Sequence, residues 1–189
     1  SLEKVDGKFE VRWSAGDQLG VYGVGANTLN NAAFVLENAS DGKAVGVFAS
    51  QNVELKADQD YVAVYPRFQT SLFSNIDLKE VELDVPGTKG EEQDDYVDLT
   101  AVKVTIPATQ KYQNGTFYTG TVPAVSTEFF VNADGGANLS MQPVVDYLFV
   151  NIQSTEPIKT LTLSLNNGND NLNIAGTAAL SRYALGDSY

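Results

Sequence analysis

Residues 144–178 constrain the fold more than any other part of the chain. They read Val-Val-Asp-Tyr-Leu-Phe-Val-Asn-Ile-Gln, then Ser-Thr-Glu-Pro, then Ile-Lys-Thr-Leu-Thr-Leu-Ser-Leu, an Asn-Asn-Gly-Asn-Asp cluster, and Asn-Leu-Asn-Ile-Ala-Gly-Thr-Ala. The first run is apolar on both parities, with Leu148, Val150 and Ile152 on one and Tyr147 and Phe149 on the other. A strand of that kind belongs inside a sheet that is covered on both faces. In the second run Leu161, Leu163 and Leu165 alternate with Thr160, Thr162 and Ser164, which predicts one buried face. Glu156-Pro157 ends the first run, because proline cannot donate to a ladder hydrogen bond. The Asn/Gly cluster tolerates positive φ and lets the chain reverse. The pattern predicts a β meander at the centre of the protein.

The rest of the chain follows the same rule of short apolar or alternating runs between turn residues. Phe9, Val11 and Trp13 alternate with Glu10 and Arg12, and Leu19, Val21 and Tyr22 follow a Ser-Ala-Gly-Asp turn. Ala33 to Leu36 and Val45 to Ala49 flank Asn38 to Gly42, a hairpin signal. Tyr61 to Tyr65 is apolar on both parities and ends at Pro66. Further strands are expected at Val81 to Val85, Val102 to Ile106, Val122 to Val125, Glu128 to Val131 and Leu139 to Gln142. This makes roughly ten to twelve strands, the spacing of a β sandwich. No helix longer than about two turns is expected, although residues 27–36 could hold one turn. The fold class is therefore all-β, a mostly antiparallel two-layer sandwich. No repeat or domain break interrupts residues 1–189, and the Pro/Gly/acidic excursion from Pro86 to Asp95 is the expected flexible or nicked site.

Composition excludes several function classes. The chain has 12 Lys plus Arg against 24 Asp plus Glu, a formal charge of −12. Such a chain does not displace counterions from nucleic acid and is repelled by anionic membrane surfaces. No apolar run approaches the roughly 18 to 20 residues of a spanning helix. Cysteine and histidine are both absent, which removes disulfides, thiol nucleophiles, thiolate metal sites and the commonest general base. No cofactor is implied.

Three groups of residues were weighed for chemistry. The carboxylates Glu91, Glu92, Asp94, Asp95 and Asp98 could hold calcium, but their spacing matches no calcium loop and a solvated acidic loop is the simpler reading. Asn167, Asn169 and Asn171 lack the glycine and distal glutamate of such a loop and read as a turn. A glycosidase needs only two facing carboxylates, yet no such pair is identifiable, so no catalytic activity is expected. Among the aromatics, Trp13, Tyr22 and Tyr65 fall in apolar strands and read as core, while Phe68 and Phe73 fall in a loop. Those two are candidate surface aromatics for stacking on a glycan, or they pin their own loop.

Four stretches together resemble the fimbrillin-like family. Phe9 to Tyr22 is similar to its W-x-x-G-D-x-hydrophobic-x-V-Y opening, and Tyr61-Val-Ala-Val-Tyr-Pro66 to its Y-x-A-x-Y-P strand end. Ile106-Pro-Ala-Thr-Gln110 with Asn114-Gly-Thr-Phe117 resembles an I-P-x-x-Q…G-x-F segment, and Tyr147 to Gly176 resembles the meander closing the family's first domain. The resemblance implies a transthyretin-like sandwich, the N-terminal domain of a longer two-domain protein. It implies a structural or adhesive subunit of pili (fimbriae), lipid-anchored at the outer membrane before processing or carried in extracellular fimbriae. The partners implied are other pilus subunits or the protein itself, and host or bacterial surface glycans or proteins. A glycan-binding module of a surface lipoprotein is the alternative.

The resemblance also implies assembly by strand donation. In the family, proteolysis after a basic residue removes the leading strand, and a strand of another subunit replaces it. Here the candidate strand lies in Glu3 to Val11, with Phe9 and Val11 as the side chains filling alternate pockets, and Arg12 is the candidate processing site. The competing reading is that Lys8 to Trp13 is an ordinary permanent strand.

Overall fold

The computed structural model describes residues 1–6, 8–57, 59–67, 79–81, 96–98, 103–114, 116–117, 121–145, 148, 150–164 and 174–179, of which 2, 4, 8, 9, 79–81 and 96–98 are described by their backbone alone. Its architecture is all-β, antiparallel and sandwich-like. The strands are β1 (Leu2–Val5), β2 (Lys8–Val11), β3 (Gln18–Gly23), β4 (Ala32–Leu36), β5 (Phe48–Ala49), β6 (Asp60–Tyr65) and β7 (Lys79–Val81). They continue as β8 (Tyr96–Asp98), β9 (Lys103–Ile106), β10 (Ala124–Ser126), β11 (Phe129–Phe130), β12 (Met141–Pro143) and β13 (Gly176–Ala179). Among the described residues the helical content is one 3-10 turn, Asn38–Ser40, in the connection between β4 and β5. Residues 32–36 form a strand rather than part of a helical turn.

Seven strands make the main sheet in the order β12-β10-β6-β3-β4-β5, with β11 also on β6. The strands β3 and β6 sit at its centre because they are apolar on both parities, as Leu19, Val21, Tyr61 and Ala63 face one side and Tyr22, Val62 and Val64 the other. All seven are buried, with Tyr22, Val62 and Ala63 fully so. On the first side Leu19, Val21, Ala32, Tyr61, Ala63, Phe129 and Val131 form one cluster. Trp13, Phe34, Phe48, Tyr65 and Met141 pack against it. Tyr61 and Phe129, directly opposite across the ladder, stack with ring centres 5.8 Å apart. Three further antiparallel pairs stand apart from this sheet: β1 with β2, β9 with β13, and β7 with β8.

The two strands expected between residues 122 and 131 are one line of chain along β6, broken by a bulge. Val125 lies opposite Val64, but Phe129 lies opposite Tyr61, so the outer chain carries one extra residue in between. The bulge pulls the outer backbone away from Ala63. Ser126 fills the gap, its buried hydroxyl accepting the Ala63 N–H at 2.8 Å. The hairpin signal at residues 38–42 holds, since β4 and β5 pair with Leu36 opposite Phe48. The turn at 132–136 closes through Asn132 N–H to Gly136 O at 2.7 Å, with Gly135 at φ 84. The Pro86 to Asp95 excursion lies outside the described residues.

One expectation is overturned. Residues 148 and 150–164 form no strand and are exposed throughout, with Leu148 73% and Leu163 50% exposed. The apolar pattern that predicts a central meander is present, but no described strand pairs with it. The centre of the protein is β3 and β6 instead. Of the closing segment, Gly176–Ala179 does form a strand, antiparallel to β9.

The Ser126 hydroxyl gives a direct test of the bulge. Ser126→Ala strips the only partner of a buried N–H, which costs about 1–3 kcal/mol. In thermal unfolding this should appear as a drop of roughly 2–4 °C per kcal/mol for a chain of this size. An unchanged midpoint would show that the bulge is not held by this bond.

Candidate functional site

Residues from two of the four resembling stretches, Phe9 to Tyr22 and Tyr61 to Pro66, meet at the main sheet, where they act as a clamp. The Ser14–Asp17 turn closes through Asp17 N–H to Ser14 O at 2.9 Å. The Asp17 carboxylate accepts Ser14 N–H at 2.8 Å through one oxygen and the Tyr65 hydroxyl at 2.9 Å through the other. Trp13 lies edge-on against Phe48 at 4.9 Å and Tyr65 at 5.4 Å. Its backbone is held on both sides, donating to Lys43 O at 2.9 Å and accepting from Gly42 N–H at 3.0 Å. Gly46 is required beside the indole, since a Cβ there would stand 2.8 Å from Trp13 Cδ1 and 2.7 Å from Leu36 Cδ1. Tyr22 is buried in β3 as expected, whereas Trp13, which lies outside any strand, and Tyr65 are partly buried and pack against the core.

The candidate donor strand is placed differently. Phe9 and Val11 belong to β2, whose ladder partner among the described residues is β1, with Leu2 opposite Val11 and Lys4 opposite Phe9. The hairpin joins no strand of the main sheet, and Val11 is 46% exposed. Arg12 follows directly. Its Nη2 donates to Glu10 Oε2 at 2.6 Å, and its Nε stands 3.1 Å from Glu3 Oε2, an ion pair off the hydrogen-bond axis. Its backbone N–H donates to Ser1 O at 2.6 Å, so it extends the hairpin ladder. The backbone through Arg12 therefore bonds within the hairpin, and the backbone of Trp13 bonds to the β4–β5 connection, although the Ser1 ammonium crosses the junction to donate to Ser14 Oγ at 3.0 Å. That junction was invisible in sequence, because Phe9 to Trp13 alternates without a break.

Phe68, Phe73 and the carboxylates Glu91, Glu92, Asp94 and Asp95 lie outside the described residues, and Asp98 is described by backbone alone within β8. Among the described aromatics Tyr112 is the most open, 87% exposed with its hydroxyl donating to Asn114 Oδ1 at 3.0 Å. Among the described residues no three acidic side chains converge as a metal site would require. No described helix is long and apolar enough to cross a membrane. Comparison with protein-family models, with curated proteins and with solved structures finds no match for this chain.

Two buried tyrosines report on the clamp and the sheet. Burial pushes the Tyr22 hydroxyl up to about 12, against the opposing charge of Arg67. Burial, then the charge and hydrogen bond of Asp17, raises Tyr65 too. Both stay protonated in the folded chain above pH 10, where an unfolded tyrosine ionises. Their stabilising contribution is complete below about pH 10 and is lost as the pH climbs to the folded values, by up to about 1.4 kcal/mol per pH unit for each group. An alkaline titration should show part of the tyrosinate absorbance arriving only as the circular dichroism of the sheet collapses. Tyr65→Phe removes a bond to a charged acceptor and should cost about 1–2 kcal/mol. Tyr22 has no hydrogen-bond partner for its buried hydroxyl, so Tyr22→Phe should be neutral or stabilising in the same denaturation assay.

Proposed function

We propose that this protein is a non-catalytic structural or adhesive subunit of a bacterial surface pilus, of the fimbrillin type, that assembles through its β-strand edges. The observation that carries this reading is the position of the hairpin junction. A leading segment that is to be clipped must come away without taking strands of the main sheet with it, and the cut falls best where the backbone bonding changes over. Here β1 and β2 pair with each other and with no strand of the main sheet, and the bonding changes over between Arg12 and Trp13. Removing residues 1–12 would leave the Trp13 clamp and all seven strands of the sheet in place. The segment removed carries Phe9 and Val11 at alternate positions, the spacing at which the replacing strand of another subunit would fill pockets while its backbone supplies ladder bonds. In this reading the subunit is lipid-anchored at the outer membrane before processing, has a transthyretin-like sandwich, and meets other subunits of the same pilus.

The test is limited cleavage by an arginine-specific protease, with subunit size followed by light scattering. The sequence has three arginines, Arg12, Arg67 and Arg182. The first cut is expected after Arg12, with Trp13 fluorescence retained and growth into oligomers following. Arg12→Gln should block both the cut and the growth. A protein clipped at Arg12 that stays at its uncut size at high concentration would overturn the reading.

A further inference from the structure

Where β6 begins, its short ladder with β11 brings an aromatic ring and a carboxylate together on one face of the sheet. Phe130 lies directly opposite Asp60, so the two side chains leave the same face with Cβ atoms roughly 5 Å apart. The next pair fixes which face that is. Phe129 and Tyr61 are buried and stack on each other on the opposite face, which turns Phe130 outward, where it is 65% exposed. The backbone of Asp60 is pinned, its carbonyl accepting Val24 N–H at 3.0 Å and Asn27 Nδ2 at 3.3 Å. Beyond Phe130 the chain turns at once, closed by the bond from Asn132 N–H to Gly136 O.

The Asp60 carboxylate has no partner of its own. Among the described residues the ion pairs are those of Arg12 with Glu3 and Glu10, and the hydrogen bonds at Asp60 go to its backbone. Burial, with no neighbouring cation to offset it, raises this carboxyl above its usual value. The sequence around Phe130 supplies no cation either: residues 112–158 contain no Lys or Arg, against Glu128, Asp134, Asp146 and Glu156. An open phenyl face attracts a cation through its ring quadrupole, and a carboxylate beside the ring adds the counter-charge. A guanidinium satisfies both, since its plane stacks on the ring while its N–H fork meets the carboxylate oxygens. The formal charge of −12 draws cationic partners toward the chain. We infer that Phe130 and Asp60 form a recognition site for an arginine side chain of a partner protein. A neutral sugar could stack on the same ring, but it would leave the charge of Asp60 uncompensated. The site goes beyond the pilus reading and uses neither the leading hairpin, nor Arg12, nor a strand edge.

The experiment uses the uncut full chain at low salt, where such pairing is least screened. N-acetyl-L-arginine amide, a single guanidinium with neutral ends, is titrated in while the ring signals of Phe130 and the carboxyl carbon of Asp60 are followed by NMR. Both should shift together and saturate, and N-acetyl-L-lysine amide should bind more weakly. Asp60→Asn should weaken binding of the arginine probe about fivefold, the scale of one exposed ion pair. Glu37→Gln, the same charge change at an exposed carboxylate elsewhere, should leave it unaltered. Because Asp60 opens a central strand, Phe130→Leu at an exposed position is the second variant, and there the response of the Asp60 carboxyl should be lost. Wild-type signals that do not move would overturn the inference, and so would equal weakening by Glu37→Gln, which would make the effect one of general charge. A Phe130 shift produced by methyl glucoside but not by the arginine probe would make the ring a sugar platform and equally overturn it. Failure of the protease-driven growth described above would bear on the pilus reading and leave this result standing.

Discussion

The backbone of Asp60–Tyr65 is the constraint on which the described sheet depends. A buried strand must pair its N–H and C=O groups on both edges, because water cannot reach them. On one edge β3 does this in continuous register, with Gly20 to Gly23 facing Val64 to Tyr61. On the other edge the outer chain changes register by one residue, and a serine hydroxyl stands in where the ladder opens. The side chains then follow from the pleat. Tyr61 and Ala63 go to one face, Val62 and Val64 to the other, and both faces exclude water. A two-sided strand of this kind forces layers on either side, which is why the architecture is sandwich-like rather than a single open sheet.

The same sequence signal had opposite outcomes at two places, and the contrast shows what patterning can and cannot say. Tyr61 to Tyr65 and Tyr147 to Ile152 are both apolar on both parities. The first is buried at the sheet centre, whereas Leu148, Val150 and Ile152 in the second stand open. Parity reports that a segment needs cover on both faces. It carries no information about where that cover comes from. The alternating strands at residues 18–23, 32–36 and 103–106 were legible for the same reason, and their ends shifted by only a residue or two. The bulge at Thr127–Glu128 was not legible, since Ser126 looks like any small polar residue until its hydroxyl is found against Ala63 N–H.

The motif residues that suggested a family turn out to do structural work here. Trp13 and Asp17 hold the first turn to Tyr65, so an aromatic, a carboxylate and a phenol 48 residues apart from that carboxylate form one clamp. Motifs of this sort can be read in sequence because local turn chemistry and packing require particular side chains. A binding edge is different. It consists of backbone groups that every residue possesses, and it is recognised by what fails to pair, which only the arrangement in space reveals. The division between Arg12 and Trp13 is an example, because the side chains alternate smoothly across it while the backbone partners change.

Net charge ties these features together. Twenty-four acidic groups against twelve basic ones keep copies of the chain apart, and this repulsion guards a protein with unpaired strand groups against indiscriminate pairing. Such protection acts over roughly 8–10 Å at ordinary ionic strength, so it operates patch by patch rather than on the molecule as a whole. The leading hairpin keeps local charge, with Glu3 and Glu10 beside Arg12, and the facing edges of its two strands pair with each other. Residues 150–164 differ: they are exposed and rich in apolar side chains, and they make no backbone hydrogen bond to a described residue. A hairpin whose charges pair internally and an apolar run left open therefore meet the same net repulsion with different local surfaces.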